Sequence, residues 1–527
     1  MKNYFKYIAI LALGVVSCEP ELENAIEDGE VYSNGEADFS NYVALGNSLT
    51  AGYADGALYI TGQENSYPNI LAGKFALTQD TDGFTQPLVN DNAGGLILNG
   101  SQITENRFVL SVNADGDPSP ARYTGADPTT EVSTKLAGPF NNMGVPGAKS
   151  YHLVAPNYGS VSGVATGMAN PYFARFSSSE SATVLEDALA QQPTFFTLWI
   201  GNNDVLSYAT SGGVGEYRLN ETDPTLYGEN DITDPNFFAM LYGQMVGALA
   251  QNAGGVLLNI PNVTSAPYFT AVPFAALSPA DENFGPQIPT LNATFAPLNQ
   301  AFAFLGVPER SVNFATDAAS PVLIKDESLA DISDQLTEVL IGGGVDPATA
   351  TLYGMQYGQS RQATAEDLLV LTSAGVIGTV NTQRVQELMA LGLDQQTAGQ
   401  LSVNGVTFPM EDQYVLTESE VSIVQSATTA FNIAISQIAQ DNGLGLVDAN
   451  AVLNKLDSEG IAFDGGTITS AFVSGGAFSL DGIHLTPRGN AVIANEIISE
   501  INATYGSNVP KANVGAYGTV TLSQDVQ

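Results

Sequence analysis

From residue 41 onward, continuous apolar runs alternate with amphipathic ones. YVAL (42–45) is a short apolar run, and in SYPNILAGKFAL (66–77) Ile70, Leu71, Phe75 and Leu77 recur at roughly helical spacing behind Pro68. SSESATVLEDALAQ (178–191) reads as a helix, and PTFFTLWI (193–200) as a strand buried on both faces. NFFAMLYGQMVGALAQN (236–252) and GGVLLNIP (254–261) repeat the helix–strand alternation. Thr417 and Glu420 stand at capping-box spacing ahead of VSIVQSATTAFNIAISQIAQDNG, which stops at Gly443, and LGLVDA follows as a strand. AVIANEIISEI reads as the final helix. Strands alternating with helices predict an α/β fold, a three-layer α/β/α sandwich with a mostly parallel central sheet.

Two stretches depart from that pattern. Residues 78–138 are rich in Gly, Asn, Asp and Pro, with GGLILNG and NRFVLSVNA reading as hairpin strands, an excursion from the core. Residues 262–415 hold amphipathic helices such as LADISDQLTEVL (329–340) and TQRVQELMALGL (382–393) among proline-rich loops, either a cap or a second domain. The expected organisation is one domain over 41–505 with insertions at 78–138 and 262–415, then a tail at 506–527.

The amino terminus changes the picture of where the chain resides. MKNYFKYIAILALGVVSC carries Lys2 and Lys6, then an apolar run from Ile8 to Val16. That run is far shorter than the roughly 20 residues of a spanning helix, so residues 1–17 read as an export signal. V-V-S-C resembles a bacterial lipobox, which implies that Cys18, the chain's one cysteine, is lipidated. Diacylation supplies the two lipid signals that stable anchoring needs, and an outer-membrane lipoprotein is the implied product. Residues 18–40 are acidic with few large apolar side chains and read as a tether. The net charge of −39 repels phosphate backbones, which argues against a nucleic-acid partner; a solvated acidic surface is its simpler meaning.

The candidate chemistry sits where apolar runs end: GNSLTAGY (46–53), FNNMGVPGAKS (140–150), GNND (201–204) and FSLDGIHLTPRGN (478–490). In open α/β sheets ligands gather at the carboxyl ends of strands, so these loops can converge. A serine hydroxyl needs a base within hydrogen-bond reach, and imidazole suits that task near neutral pH. The chain has two histidines. His152, in KSYHLVAP, reads as an exposed loop residue, which leaves His484 as the base. Asp481 lies three residues before it, with Gly482 between them to let the chain fold back. Trp199 reads as core.

Taken in order, the four blocks resemble those of the SGNH (GDSL-type) hydrolase superfamily: nucleophile block, glycine block, G-x-N-D and D-x-x-H. The resemblance implies a flavodoxin-like sheet and an acyl-serine mechanism on carboxylic esters. Ser48 would be the nucleophile, His484 the base, Asp481 its partner, and Ser48, Gly147 and Asn203 the oxyanion donors. Gly147 would bring its amide to substrate with no Cβ in the way. One departure stands out, Asn47 where the family has aspartate; its amide can still serve a local turn. No cofactor or metal is implied. Around Ser48 there is no GxSxG elbow, GVPGAKS lacks the Gly-Lys pair of a phosphate loop, and DGD at 115–117 lacks the other ligands of a calcium loop. Apolar residues in the insertions favour lipid or short acyl esters; an acylated glycan is the alternative substrate, and a non-catalytic, ligand-capturing surface lipoprotein the alternative class.

Overall fold

The computed structural model describes residues 32–113 and 116–526. The signal peptide, Cys18, the tether up to residue 31 and Asp115 of the DGD stretch lie outside the described residues.

The fold is α/β. Five parallel strands form the central sheet: β1 (Tyr42–Gly46), β2 (Asn142–Gly144), β3 (Phe195–Trp199), β4 (Gly254–Leu258) and β5 (Gly445–Val447), in the order β5-β4-β3-β1-β2. Every residue of β1 and β3 is buried. Because successive side chains of a strand point to opposite faces, both faces of the sheet are covered, and this is why these segments read as continuous apolar runs. Trp199 is buried at the end of β3 and donates its indole N–H to the Asn259 carbonyl at 3.1 Å.

Six helices matter for the site: α1 (Ser48–Ala51), α2 (Tyr67–Phe75), α3 (Asn203–Thr210), α4 (Pro235–Leu249), α5 (Glu418–Asp441) and α6 (Pro487–Tyr505). α6 packs on α2, β4 and β5, while α5 packs on α3, α4, β4 and β5. The α5 start follows the expected capping box, with the Thr417 amide donating to Glu420 Oε2 at 2.7 Å. Phe431 of α5 stacks on Phe238 of α4 with ring centroids 4.2 Å apart. The helix expected over 178–191 is shorter, Val184–Leu189. Its serine-rich start is a loop, because Ser178 bonds the Asp187 carboxylate through both its amide and its hydroxyl instead of entering the helix.

The first insertion forms two antiparallel hairpins, Ile97–Leu98 with Ser101–Gln102 and Phe108–Val112 with Pro118–Arg122. The carboxyl-terminal tail returns to the second of these: the Leu110 amide donates to the Thr521 carbonyl at 2.9 Å. The second insertion builds its own hydrophobic core, from Leu298, Phe302, Ile324, Leu336 and Tyr357 among others. A cavity of about 1420 Å³ opens within it, lined by residues between 276 and 407. Among the described residues no helix is long and apolar enough to cross a membrane.

Candidate active site

β1 is flanked by β2 on one side and β3 on the other, so the loops leaving three adjacent strands meet at one edge. This is the position at which a parallel sheet of this order reverses its strand order. Ser48 opens α1 two residues beyond β1, Gly147 lies three residues beyond β2, and Asn203 opens α3 beyond β3. The fourth block arrives from the far end of the chain, immediately before α6, which is held against the sheet by its packing on α2.

His484 Nε2 stands 2.8 Å from Ser48 Oγ across 436 positions of sequence. On its other side His484 Nδ1 lies 2.9 Å from Asp481 Oδ2. A carboxylate accepts and does not donate, so the Nδ1 proton points at Asp481 and Nε2 is left to accept from the serine hydroxyl. Ser48 is 7 % exposed and the His484 side chain 13 %, a hydroxyl–imidazole pair reachable from solvent and not sealed in the core. Tyr53 rests its ring against the imidazole, with centroids 4.7 Å apart.

Asp481 accepts from five donors. Oδ1 takes the amides of Ile483 at 2.9 Å and His484 at 2.8 Å and the Ser479 hydroxyl at 3.1 Å; Oδ2 takes the Gly56 amide at 2.8 Å and the His484 ring. Burial alone would push this carboxyl up, but the facing His484 ring and the hydrogen bonds outweigh it and hold the group well below the usual carboxylate range. The fold-back expected at Gly482 is present, with φ at +74°, where an added Cβ would lie 2.9 Å from the Tyr268 backbone nitrogen. Tyr268 donates its amide to the Gly482 carbonyl at 3.0 Å, so the second insertion also braces this loop.

The amides of Ser48 and Gly147 make no hydrogen bond within the described residues. The two carbonyls on either side of Gly147 are pinned: Asn170 Nδ2 donates to the Pro146 carbonyl at 2.8 Å, and Asn203 Nδ2 to the Ala148 carbonyl at 2.9 Å. Asn203 thereby keeps a second amide hydrogen for a ligand. An added Cβ at Gly147 would meet no protein atom nearer than Asn170 Nδ2 at 4.0 Å, and the +81° φ itself favours glycine there.

Asn47 behaves as a helix cap: its Oδ1 accepts from the Leu49 amide at 3.0 Å, and its Nδ2 donates to Asn202 Oδ1, also at 3.0 Å. Asn202 Nδ2 is buried with no partner among the described residues.

His152 is not the exposed loop residue expected. It lies half-buried in a 3₁₀ turn, Ser150–Val154, stacked on Tyr158 at 4.5 Å, and its Nδ1 accepts from the Lys149 amide at 3.0 Å. Burial and, secondarily, the Lys149 ammonium push its pKa down to about 4.

Sequence reasoning missed three supports. Asn170 is one. Asp204 is another; it is fully buried and takes the Ser150 amide, the Ser150 hydroxyl and the Thr233 hydroxyl at 2.6–2.8 Å, tying the GNND turn to the glycine block. The signal for Asp204 was present as the acid inside its own block. The third is the turn at 55–56 that supplies the Gly56 amide. The large cavity of the second insertion includes none of Ser48, Gly147, Asn203, Asp481 and His484.

No family model matches this chain, and no curated protein or solved structure matches it.

Proposed function

We propose that the protein is a serine esterase of the SGNH type, with a flavodoxin-like sandwich, that hydrolyses carboxylic esters through an acyl-serine intermediate. The observation that carries this reading is the unbroken line of hydrogen bonds from Ser48 through His484 to Asp481, beside the Ser48 and Gly147 amides, which have no partner among the described residues. In this mechanism Ser48 Oγ attacks the ester carbonyl while its proton passes to His484 Nε2. Asp481 holds the tautomer and steadies the imidazolium. The alkoxide that develops accepts from the Ser48 and Gly147 amides and the free hydrogen of Asn203 Nδ2, donors worth about 3 kcal/mol each. Collapse expels the alcohol with the proton from His484. A water then loses a proton to His484 and attacks the acyl-serine, releasing the acid and restoring the hydroxyl.

The test is hydrolysis of p-nitrophenyl esters of graded chain length and of acetylated xylan by the native sequence and by Ser48→Ala. The variant should lose at least about a thousandfold in rate. Equal rates would remove the esterase reading and favour a ligand-capturing lipoprotein; acetate release from the glycan in preference to the simple esters would make the enzyme a carbohydrate esterase.

A further inference from the structure

Among the described residues Asp481 pairs with no lysine or arginine; His484 is the one ionisable base against it. Its carboxylate is oriented by amides and a hydroxyl, and the turn behind two of those donors is itself held by an ion pair. Asp55 and Gly56 are the two central residues of a tight turn in which Ala54 and Ala57 exchange both backbone hydrogen bonds. Both have positive φ, +54° and +72°, the geometry for which Asp-Gly is well suited. From this turn the Gly56 amide reaches Asp481 Oδ2 at 2.8 Å. The Asp55 amide donates to Ser479 Oγ at 2.9 Å, and that hydroxyl donates to Asp481 Oδ1. Asp55 Oδ1 accepts the Leu480 amide at 2.9 Å. One turn therefore grips residues 479, 480 and 481, about 425 positions away.

Asp55 Oδ2 accepts from Arg107 Nη2 at 2.6 Å and from the Tyr59 hydroxyl at 2.9 Å. The two ion-pair side chains are 4 % and 2 % exposed. Arg107 belongs to the first insertion; its guanidinium lies 3.6 Å over the Tyr59 ring, and the same Nη2 donates to Thr521 Oγ1 at 2.7 Å in the carboxyl-terminal tail. A buried carboxylate without its cation must protonate or move toward water, and either change alters the acceptor that holds the Leu480 amide.

We propose that Asp55 and Arg107 are positioning residues for the acid–base pair, so that the first insertion and the tail are working parts of the catalytic centre. Arg107 fixes Asp55, Asp55 fixes the 479–481 segment, and that segment sets the Asp481 carboxylate against His484 Nδ1. Neither residue touches substrate. The kinetic consequence rests on the esterase reading; the structural one does not.

The experiment uses the full chain and Arg107→Met, Arg107→Lys, Asp55→Asn and the double variant Asp55→Asn/Arg107→Met, each first checked for folding by circular dichroism. The first readout is the far-downfield proton resonance of His484 Nδ1–H. The chain has two histidines and His152 Nδ1 is an acceptor, so this signal reports His484 alone. It should shift or vanish in Arg107→Met and Asp55→Asn and return in part in Arg107→Lys. The second readout is turnover: kcat should fall about 10- to 100-fold with KM little changed, and the acid limb of the pH–rate profile should move. The double variant should lose no more than Arg107→Met, and Arg107→Met should add no loss in an Asp481→Asn background. If Arg107→Met does not fold, Asp55→Asn carries the same reading, because the one oxygen of an amide can face Leu480 or Arg107 but not both, and its Nδ2 opposes the other donor. A folded Asp55→Asn or Arg107→Met with native resonance and native kcat overturns the proposal. If the resonance depends on Arg107 but the native protein hydrolyses no ester, the positioning stands and the esterase reading falls.

Discussion

At the scale of single residues, a side chain's charge state follows from what surrounds it, and His152 shows this away from the chemistry. An imidazole ordinarily titrates near 6.5, whereas burial and Lys149 bring this one to about 4. Its Nδ1 must stay unprotonated to accept the Lys149 amide. As pH falls, the unfolded chain takes up the proton first; the stability this histidine contributes is complete above pH 6.5 and is lost as pH drops toward 4. The loss is on the order of 2–3 kcal/mol after allowing for solvent at the ring edge. Denaturant unfolding at pH 7 and pH 4.5 should show the native protein losing more stability than His152→Phe. Equal losses would contradict the assignment. Ser48, Asp481 and His484 were legible as a hydrogen-bonded set at this scale because the proposed reaction admits few residue types and the chain offers two histidines. Asn170, Asp55 and Arg107 were not, because a polar residue that pins another loop's backbone has the same local signature as one in any turn.

At the scale of elements, the strands were the most legible feature, since burial on both faces leaves an uninterrupted apolar run. The long helices followed from period and caps, and two starts were misread, at 178–183 and 329–332, where Ser178 and Asp331 make local side-chain hydrogen bonds outside the helix. Packing between helices is where stability concentrates. Phe431 is fully buried against Phe238 and joins α5 to α4 behind the sheet. Phe431→Ala should lower unfolding free energy by about 3–5 kcal/mol while leaving turnover per folded molecule unchanged. A loss below about 1 kcal/mol would mean that this contact does not hold the layer together.

At the scale of the whole molecule, the sequence order hides what the fold brings together. The four polar blocks converge because three leave adjacent parallel strands and the fourth rides on α6; that such loops can meet followed from strand alternation. The partnership of the first insertion, the tail and the 479–481 loop did not, since Arg107 and Thr521 are 414 positions apart and nothing periodic links them. Nor did the separate core and cavity of residues 262–415. The lipobox reading of Cys18 is a proposal tested at this scale as well. Cys18→Ser should abolish incorporation of labelled fatty acid and release the protein from membranes; unchanged membrane association would refute the lipobox reading.

The central claim is that Ser48 is an activated nucleophile. Incubation of the intact protein with a fluorophosphonate ester, followed by peptide mass spectrometry, tests it directly: one adduct on Ser48 is expected, formed slowly or not at all in His484→Gln and absent in Ser48→Ala. A native protein that stays unlabelled, or that is labelled equally well when Ser48 is alanine, would contradict the account.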